Sequence, residues 1–207
     1  MRPSRKIWWR RHASFNRIAH MPIAMSRFLR PAVLTTLLVG WAMPAHADAP
    51  TLSLGALYGY GGGVDVYGVQ AIWTPRPQAR MLEDNGLEFR IAGQVARWLA
   101  RDQNTGHDSL TNGNVLTELR YSPLRHAAVR PFAELGFGID LISHVKIGKH
   151  NLATAFNFGS QGALGVTFGD NGRFEIAAVI HHASNARIKQ PNQGLTYSGI
   201  RIRVGLD

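Results

Sequence analysis

The chain has 207 residues, contains no cysteine and carries a formal net charge of +10 at pH 7. Eight of its 23 basic residues and none of its 13 acidic residues lie in residues 1–47, so residues 48–207 carry a net charge of only +2. Disulfides and thiolate metal ligands are therefore excluded, and the folded part lacks the basic excess expected of a nucleic-acid-binding protein.

Residues 1–47 have the pattern of a secretory signal peptide preceded by an N-terminal extension. A basic segment without acidic residues leads into a short apolar run, and Ala45-His46-Ala47 has the small-x-small pattern of a cleavage site. The apolar run is too short to cross a bilayer as a helix. We expect cleavage before Asp48, and residues 48–207 have a length typical of one domain. Three methionines are candidate translation starts: Met1, Met21 and Met25.

The rest of the chain alternates between apolar and polar residues over segments of about ten residues, separated by Gly, Asn, Asp and Pro. No segment has a convincing helical period, and no apolar run is long enough for a helical membrane span. The pattern predicts eight β-strands, at about 51–60, 64–74, 87–98, 114–122, 130–141, 156–168, 173–184 and 196–206.

Within each predicted strand, one side carries apolar residues and the other collects the charges. In the third strand, Leu87, Phe89 and Ile91 alternate with Glu88 and Arg90. Eight such strands can close into an all-β antiparallel barrel whose interior is filled by side chains. A transmembrane β-barrel directs the apolar side to lipid and pairs the charges inside, whereas a soluble lipocalin-like barrel reverses both faces. The polar side has too few charges for a solvated exterior, which favours the membrane form.

The end of the seventh predicted strand carries a candidate catalytic pair. Apolar residues occupy the even positions from Phe174 to Ile180, and His182 and Ser184 continue that series. Side chains two apart in a strand share a face, so a candidate base and a candidate nucleophile stand together on the predicted lipid-facing side. With both chain termini in the periplasm, this end of the barrel faces the cell exterior, as do the longer links 99–113, 142–155 and 185–195.

The His-x-Ser triplet by itself is weak evidence, because it recurs at residues 12–14 and 107–109. The specific signal is the whole segment His182-x-Ser184-Asn185-Ala186-x-Ile188-Lys189-Gln190-Pro191-Asn192-x-Gly194. On the penultimate strand of a small exported barrel, this segment resembles the outer-membrane lipid A 3-O-deacylase family (PagL).

The resemblance implies an integral outer-membrane serine esterase that removes the 3-O-linked acyl chain of lipid A, with lipopolysaccharide as its substrate and no metal or cofactor. On the matching positions, Ser184 is the expected nucleophile, His182 its general base and Asn192 an oxyanion-hole donor. A serine hydroxyl is a weak nucleophile at neutral pH, and an imidazole can take its proton and return it to the leaving sugar hydroxyl. Asn185 and the backbone N–H groups that follow are further candidate donors to the oxyanion.

Two positions depart from the family pattern. Thr196 stands where the family has its third catalytic member, a Glu early in the last strand, and Arg187 stands where the family usually has Gly. A hydroxyl cannot stabilise an imidazolium as a carboxylate does. Three interpretations stay open: weaker orientation of His182 by Thr196, a different acid, or an impaired copy.

The competing function is a non-catalytic outer-membrane barrel, serving adhesion or envelope integrity, that retains part of the motif. A soluble lipid-binding barrel is the third alternative. The sequence predicts no nucleic-acid partner and is compatible with a homodimer as well as a monomer. The basic residues of link 142–155 fit either a solvated loop or contact with lipid A phosphates: His144, Lys146, Lys149 and His150. Trp73 and Trp98, near strand ends, predict an interfacial aromatic girdle.

Overall fold

A computed structural model describes residues 51–102, 107–124, 127–169 and 172–206. The predicted signal peptide and its extension, residues 1–47, lie outside the described residues. The described part contains ten strands and one short helix, numbered here in chain order: β1 (Thr51–Gly61), β2 (Val64–Thr74), α1 (Arg80–Asp84), β3 (Leu87–Ala100), β4 (Ser109–Tyr121), β5 (Val129–Ile142), β6 (Lys146–Ile147), β7 (His150–Asn151), β8 (Phe156–Phe168), β9 (Phe174–Ser184) and β10 (Leu195–Gly205). Across these ranges, no helix has the length and apolar composition needed to cross a bilayer.

Eight of the strands form a closed barrel in the order β1-β10-β9-β8-β5-β4-β3-β2, with every neighbouring pair antiparallel. The predicted all-β, eight-stranded antiparallel barrel is confirmed. Strand β4 begins at Ser109, earlier than expected, because Thr111 and Gly113 on its outer side do not show the apolar alternation that marks a strand. Link 142–155 contains the small sheet β6–β7, and the helix α1 is too short to produce a periodic signal.

Large apolar side chains cover the outer surface of the barrel, and its interior holds charged side chains together with an apolar core cluster. Leu164 and Phe137 are 68% and 62% exposed, whereas Glu118 and Arg201 are 1% and 0% exposed. A water-soluble protein places such groups the other way round, but a transmembrane barrel needs an apolar outer band about 25 Å tall. The barrel is therefore of the membrane-spanning kind, and the lipocalin-like alternative is wrong.

A network of ion pairs occupies the interior. Glu134 lies 2.8 Å from Nη2 of Arg120 and 2.8 Å from Nη2 of Arg201. Glu175 also pairs with Arg120, at 2.6 Å. Closer to the β9–β10 link, the fully buried side chains of His181 and Asp140 lie 3.1 Å apart. Because these groups pair with one another inside the barrel, none of them serves the lipid-facing surface.

The interior also contains an aromatic residue that was expected at the membrane interface. Trp73 lies on the outer surface, but Trp98 is fully buried and packs edge-on against Tyr197 with ring centroids 6.0 Å apart. Trp98 occupies an even position in β3, on the same side as Arg90, so strand parity directs it inward. The girdle prediction was wrong for this residue.

A short hairpin closes one end of the barrel. We call this the upper end; it holds links 62–63, 143–155 and 185–194, and the described parts of link 101–108, which are residues 101–102 and 107–108. The cap hairpin, residues 146–151, contains Ile147 and is followed by Leu152, and both side chains are buried in the apolar core cluster. The hairpin contacts each of the other three upper links: by a bridge from Ile147 to His107, by the hydrogen bond from His150 Nε2 to the Gly62 carbonyl at 2.7 Å, and by the hydrogen bond from the Asn151 N–H to Gln193 Oε1 at 2.6 Å.

Candidate active site

A row of polar side chains interrupts the apolar outer surface near the upper end. His182 in β9 pairs with Thr196 in β10 on one side and with Ser160 in β8 on the other. Ser184, two residues further along β9, has the same parity. His182 and Thr196 are exposed, and Ser160 and Ser184 are half-buried. The residues before and after them in each strand alternate between the interior and the outer surface, as in the rest of the barrel. The predicted catalytic pair therefore faces away from the interior.

The imidazole of His182 is held by the last strand. Its Nδ1 lies 2.8 Å from Oγ1 of Thr196, a hydrogen bond between directly opposed residues. Opposed residues in an antiparallel pair have Cα atoms about 5 Å apart, which is within reach of two short side chains. The contact engages Nδ1, and within the described ranges no hydrogen bond to Nε2 is present. Nε2 is therefore the ring atom available to take a proton.

Ser184 is the last residue of β9. Among the described residues its Oγ has no hydrogen-bond partner, so the bond to His182 is not formed in this structure. Residues two apart on a strand have Cα atoms about 6.8 Å apart, a gap that an imidazole ring largely spans. Catalytic hydrogen bonds are often long in unliganded enzymes and tighten when substrate binds.

The chain turns sharply directly after Ser184. The N–H of Ile188 donates to the carbonyl of Asn185 at 3.0 Å, and the two residues between them have positive φ: Ala186 at 49° and Arg187 at 66°. These features define a type I′ turn, which favours Gly or Asn at its centre. Within the described part of the chain, the backbone N–H groups of Ala186 and Arg187 have no acceptor. They are donors held two and three residues beyond the candidate nucleophile.

The two asparagines that the sequence analysis gave as candidate oxyanion donors, Asn185 and Asn192, hold this turn in place. Asn185 is fully buried, and its Nδ2 donates to the carbonyls of Leu152 at 2.8 Å and Lys189 at 2.9 Å. Its side-chain protons are thus committed to the loop. Asn192 accepts the N–H of Asn185 through Oδ1 at 3.1 Å. This bond fixes the amide of Asn192 and leaves its Nδ2 without an acceptor among the described residues, so Asn192 is the asparagine that can donate to an oxyanion.

Gly194 is a site residue whose role the sequence did not reveal. It has φ of 59°, and a Cβ at this position would lie 2.9 Å from Cε1 and 3.4 Å from Nε2 of His182. Any side chain here would therefore push against the edge of the imidazole that carries Nε2. A glycine just before a strand usually indicates only a turn, so no sequence signal separates this role from an ordinary one.

The family model described as "Lipid A 3-O-deacylase (PagL)" matches residues 65–205. The chain belongs to the PagL family. A curated protein of Pseudomonas aeruginosa, lipid A deacylase PagL, is 30% identical over 98 residues, which cover 47% of this chain and 53% of that protein. The match therefore spans about half the length of this relative.

A solved structure shares the fold of this PagL-family chain. The crystal structure of the outer membrane enzyme PagL superposes with a TM-score of 0.62 at 20% identity, covering 73% of this chain and 98% of that chain. At this identity the likeness describes the barrel and its connections. The roles of individual side chains depend on the geometry of this chain's own residues.

Two residues of the site are those at which the sequence was expected to depart from the family pattern. Thr196 contacts His182 at the position where a glutamate was expected, so the ring is oriented by a hydroxyl. Arg187 occupies a left-handed conformation at the position where a glycine was expected. In the described part of the chain, no three His, Asp or Glu side chains converge to form a metal site.

Proposed function

We propose that the protein is an integral outer-membrane esterase that hydrolyses an acyl ester of lipid A, with the 3-O-linked chain as the acyl group removed. One observation carries the proposal: His182 and Ser184 stand together on the hydrocarbon-facing surface, with a hydroxyl on the Nδ1 of the imidazole. Membership of the PagL family and the name of the Pseudomonas aeruginosa relative support lipid A as the substrate.

The position of the site suits an ester of a membrane lipid. Ser184 lies where the apolar outer surface ends and the upper links begin. With the upper end at the cell exterior, this is the boundary between the acyl chains and the sugars of the outer leaflet. A lipid ester can therefore reach Ser184 by lateral diffusion, and its acyl chain stays in contact with apolar side chains such as Ile180 and Phe158, which are 54% and 44% exposed.

The chemistry follows from the donors and acceptors at the site. His182 Nε2 takes the proton of the Ser184 hydroxyl as Oγ attacks the ester carbonyl. The negative charge on the carbonyl oxygen is received by Asn192 Nδ2 and the N–H groups of Ala186 and Arg187. Collapse of the intermediate breaks the ester C–O bond, and the sugar hydroxyl leaves with the proton from Nε2. Water then hydrolyses the acyl-serine by the same proton transfers, releasing the fatty acid.

Thr196 supports the required tautomer less firmly than a carboxylate does. A carboxylate only accepts hydrogen bonds, so it forces the proton onto Nδ1 and leaves Nε2 free. A hydroxyl either accepts from Nδ1–H or donates to an unprotonated Nδ1, and the second arrangement places the proton on Nε2. The site is therefore expected to be active but slower than a site with a carboxylate at position 196.

The test is mass spectrometry of lipid A from cells that express the intact protein, Ser184→Ala or Ser198→Ala. Ser198 is a matched control, because it is an exposed outward serine two residues beyond Thr196 on β10. We expect loss of one hydroxyacyl mass with the intact protein and the control, and none with Ser184→Ala. Fragmentation of the product identifies the 3-O position.

An unchanged lipid A mass with all three proteins, each folded in the membrane, would contradict the proposal. That result would favour the alternative of a non-catalytic barrel that serves adhesion or envelope integrity.

A further inference from the structure

Two of the upper links carry positive charge without any negative charge. Links 143–155 and 185–194 contain no Asp or Glu. Their basic crown consists of four exposed residues: Lys146, Lys149, Arg187 and Lys189. By contrast, link 101–108 balances Arg101 with Asp102 and Asp108. No ion pair among the described residues involves the crown, whereas Arg101 forms a bidentate pair with Asp65. The uncompensated charge thus lies on one side of the upper end.

The two acid-free links are joined to each other at the candidate active site. The N–H of Asn151 donates to Gln193 Oε1 at 2.6 Å, and the N–H of Gln193 donates back to the Asn151 carbonyl at 3.4 Å. Gln193 directly precedes Gly194, which lies against the imidazole of His182. Lys146 pairs with Asn151 in the cap hairpin, and Asn151 in turn pairs with Gln193. Each pairing joins backbones ~5 Å apart, so the backbones of Lys146 and Gln193 are separated by about two such distances.

The lysines of the cap hairpin point away from the barrel. Ile147 is fully buried, and successive side chains of a strand point to opposite sides, so Lys146 projects outward from the hairpin. Lys149 lies in the turn between β6 and β7, next to Gly148 with φ of 49°, and is exposed. Both ammonium groups are therefore free to meet a ligand that approaches the upper end from the lipid surface.

We propose that Lys146 and Lys149, with Arg187 and Lys189, bind the phosphate groups of the lipid A molecule whose ester is being hydrolysed. This inference rests on the proposed function. Lipid A is a phosphorylated sugar with acyl chains below it, so an ester at Ser184 places the sugar and its phosphates at the level of the upper links. Lysine is a common phosphate ligand that acts as a point charge, and each basic residue near an anionic lipid surface strengthens binding about fivefold.

The test compares deacylation of bisphosphorylated and dephosphorylated lipid A in neutral detergent micelles with a chelator present. For Lys146→Gln/Lys149→Gln we expect kcat/KM on the bisphosphorylated substrate to fall about 25-fold, mainly through KM, with no change on the dephosphorylated substrate. Lys146→Arg/Lys149→Arg keeps the charge and should retain activity. Arg173→Gln removes one exposed charge at the opposite end of the barrel and should leave kcat/KM unchanged on both substrates.

Three results would overturn the inference. Equal losses on both substrates would show that the lysines only support the loop, and no loss on either would show that they bind nothing. If anionic phospholipid added to the micelles lowered KM for dephosphorylated lipid A to the value for the bisphosphorylated substrate, the lysines would bind the membrane surface and not the phosphates of the substrate. Deacylation of neither substrate by the intact protein would instead overturn the proposed function, and this inference with it.

Discussion

The interior and the outer surface of the barrel both contain polar groups, but they hold them in opposite ways. Inside, Glu134 pairs with Arg120 and Arg201, and all three side chains are buried. Outside, His182 has one short side-chain contact, to Thr196, on a surface that is mainly apolar. The interior groups are numerous and paired, whereas the outer groups are few and only partly paired.

This difference suggests that the interior groups stabilise the fold, whereas the outer groups serve the reaction. A charge inside a closed barrel remains there only when paired, because an unpaired charge in a low-dielectric interior is strongly unfavourable. An ionisable group that faces hydrocarbon gains nothing for the fold, so we expect the outward imidazole of His182 to serve a function in the membrane. We therefore expect substitutions inside to change the free energy of unfolding and substitutions outside to change turnover, and the following predictions test that division.

The largest effect is expected for Glu134→Gln. The carboxylate lies within 3.5 Å of a guanidinium nitrogen of each of four arginines: Arg90, Arg120, Arg201 and Arg203. Neutralising it leaves buried positive charge uncompensated, which lowers the free energy of unfolding by about 3–5 kcal/mol. Urea unfolding in lipid vesicles, followed by tryptophan fluorescence, measures this change.

Glu88→Gln is the matched control, because its side chain is 29% exposed and its pairs with Arg76 and Arg90 are 3.3 Å and 3.5 Å long. We expect a loss below about 1 kcal/mol. Equal stability of the two variants would contradict a structural role for the interior network.

Gly194→Ala should reduce turnover by about 100-fold, because the new methyl group displaces the imidazole of His182 by up to about 1 Å. Gly63→Ala is the control, since this residue also has a positive φ, of 80°, but a Cβ at its position meets no atom within 4 Å. Initial rates on lipid A in micelles check the prediction. Full activity of Gly194→Ala would mean that the ring is not held as the structure indicates.

Thr196→Glu should raise turnover by about tenfold or more, because a carboxylate both selects the Nδ1–H tautomer and stabilises the imidazolium. Thr196→Val, which keeps the shape and removes the hydroxyl, should lower turnover. The comparison uses kcat at saturating lipid A. If a folded Thr196→Glu protein is no faster than the unmodified protein, the hydroxyl is not standing in for a third catalytic member.

The smallest effect is expected for Arg187→Gly. A non-glycine residue in the left-handed region is disfavoured by roughly 1–2 kcal/mol, part of which is offset by the greater freedom of glycine in the unfolded chain. We expect the free energy of unfolding to rise by about 1 kcal/mol. Arg173→Gly, at a position without positive φ, should instead lower it slightly. A less stable Arg187→Gly protein would indicate that the side chain supports the turn.

The sequence predicted the barrel well because its information is local. Strands such as β3 and β9 alternate residue by residue, and this alternation identifies strands without knowledge of their partners. It also correctly placed His182, Ser184 and Thr196 on one face. It missed the start of β4, because the outer side of that strand mixes polar and apolar residues. It also missed the burial of Trp98, because a position near a strand end does not show whether the side chain is buried.

The site was less predictable because its parts come from distant segments. Leu152 binds the side chain of Asn185, and Gln193 meets Asn151, across separations that no local pattern encodes. The same is true of Gly194, whose role depends on the position of the His182 ring.

Composition by itself predicted an export signal and a single domain, and alternation by itself determined the eight strands of the barrel and which residues of each strand share a face, because side-chain direction in a strand depends only on position. The tertiary structure decided which face meets lipid, that Thr196 contacts His182, and that the acid-free links join above the site. Those facts arise from closure of the barrel and folding of the cap hairpin, which bring together residues that are remote along the chain.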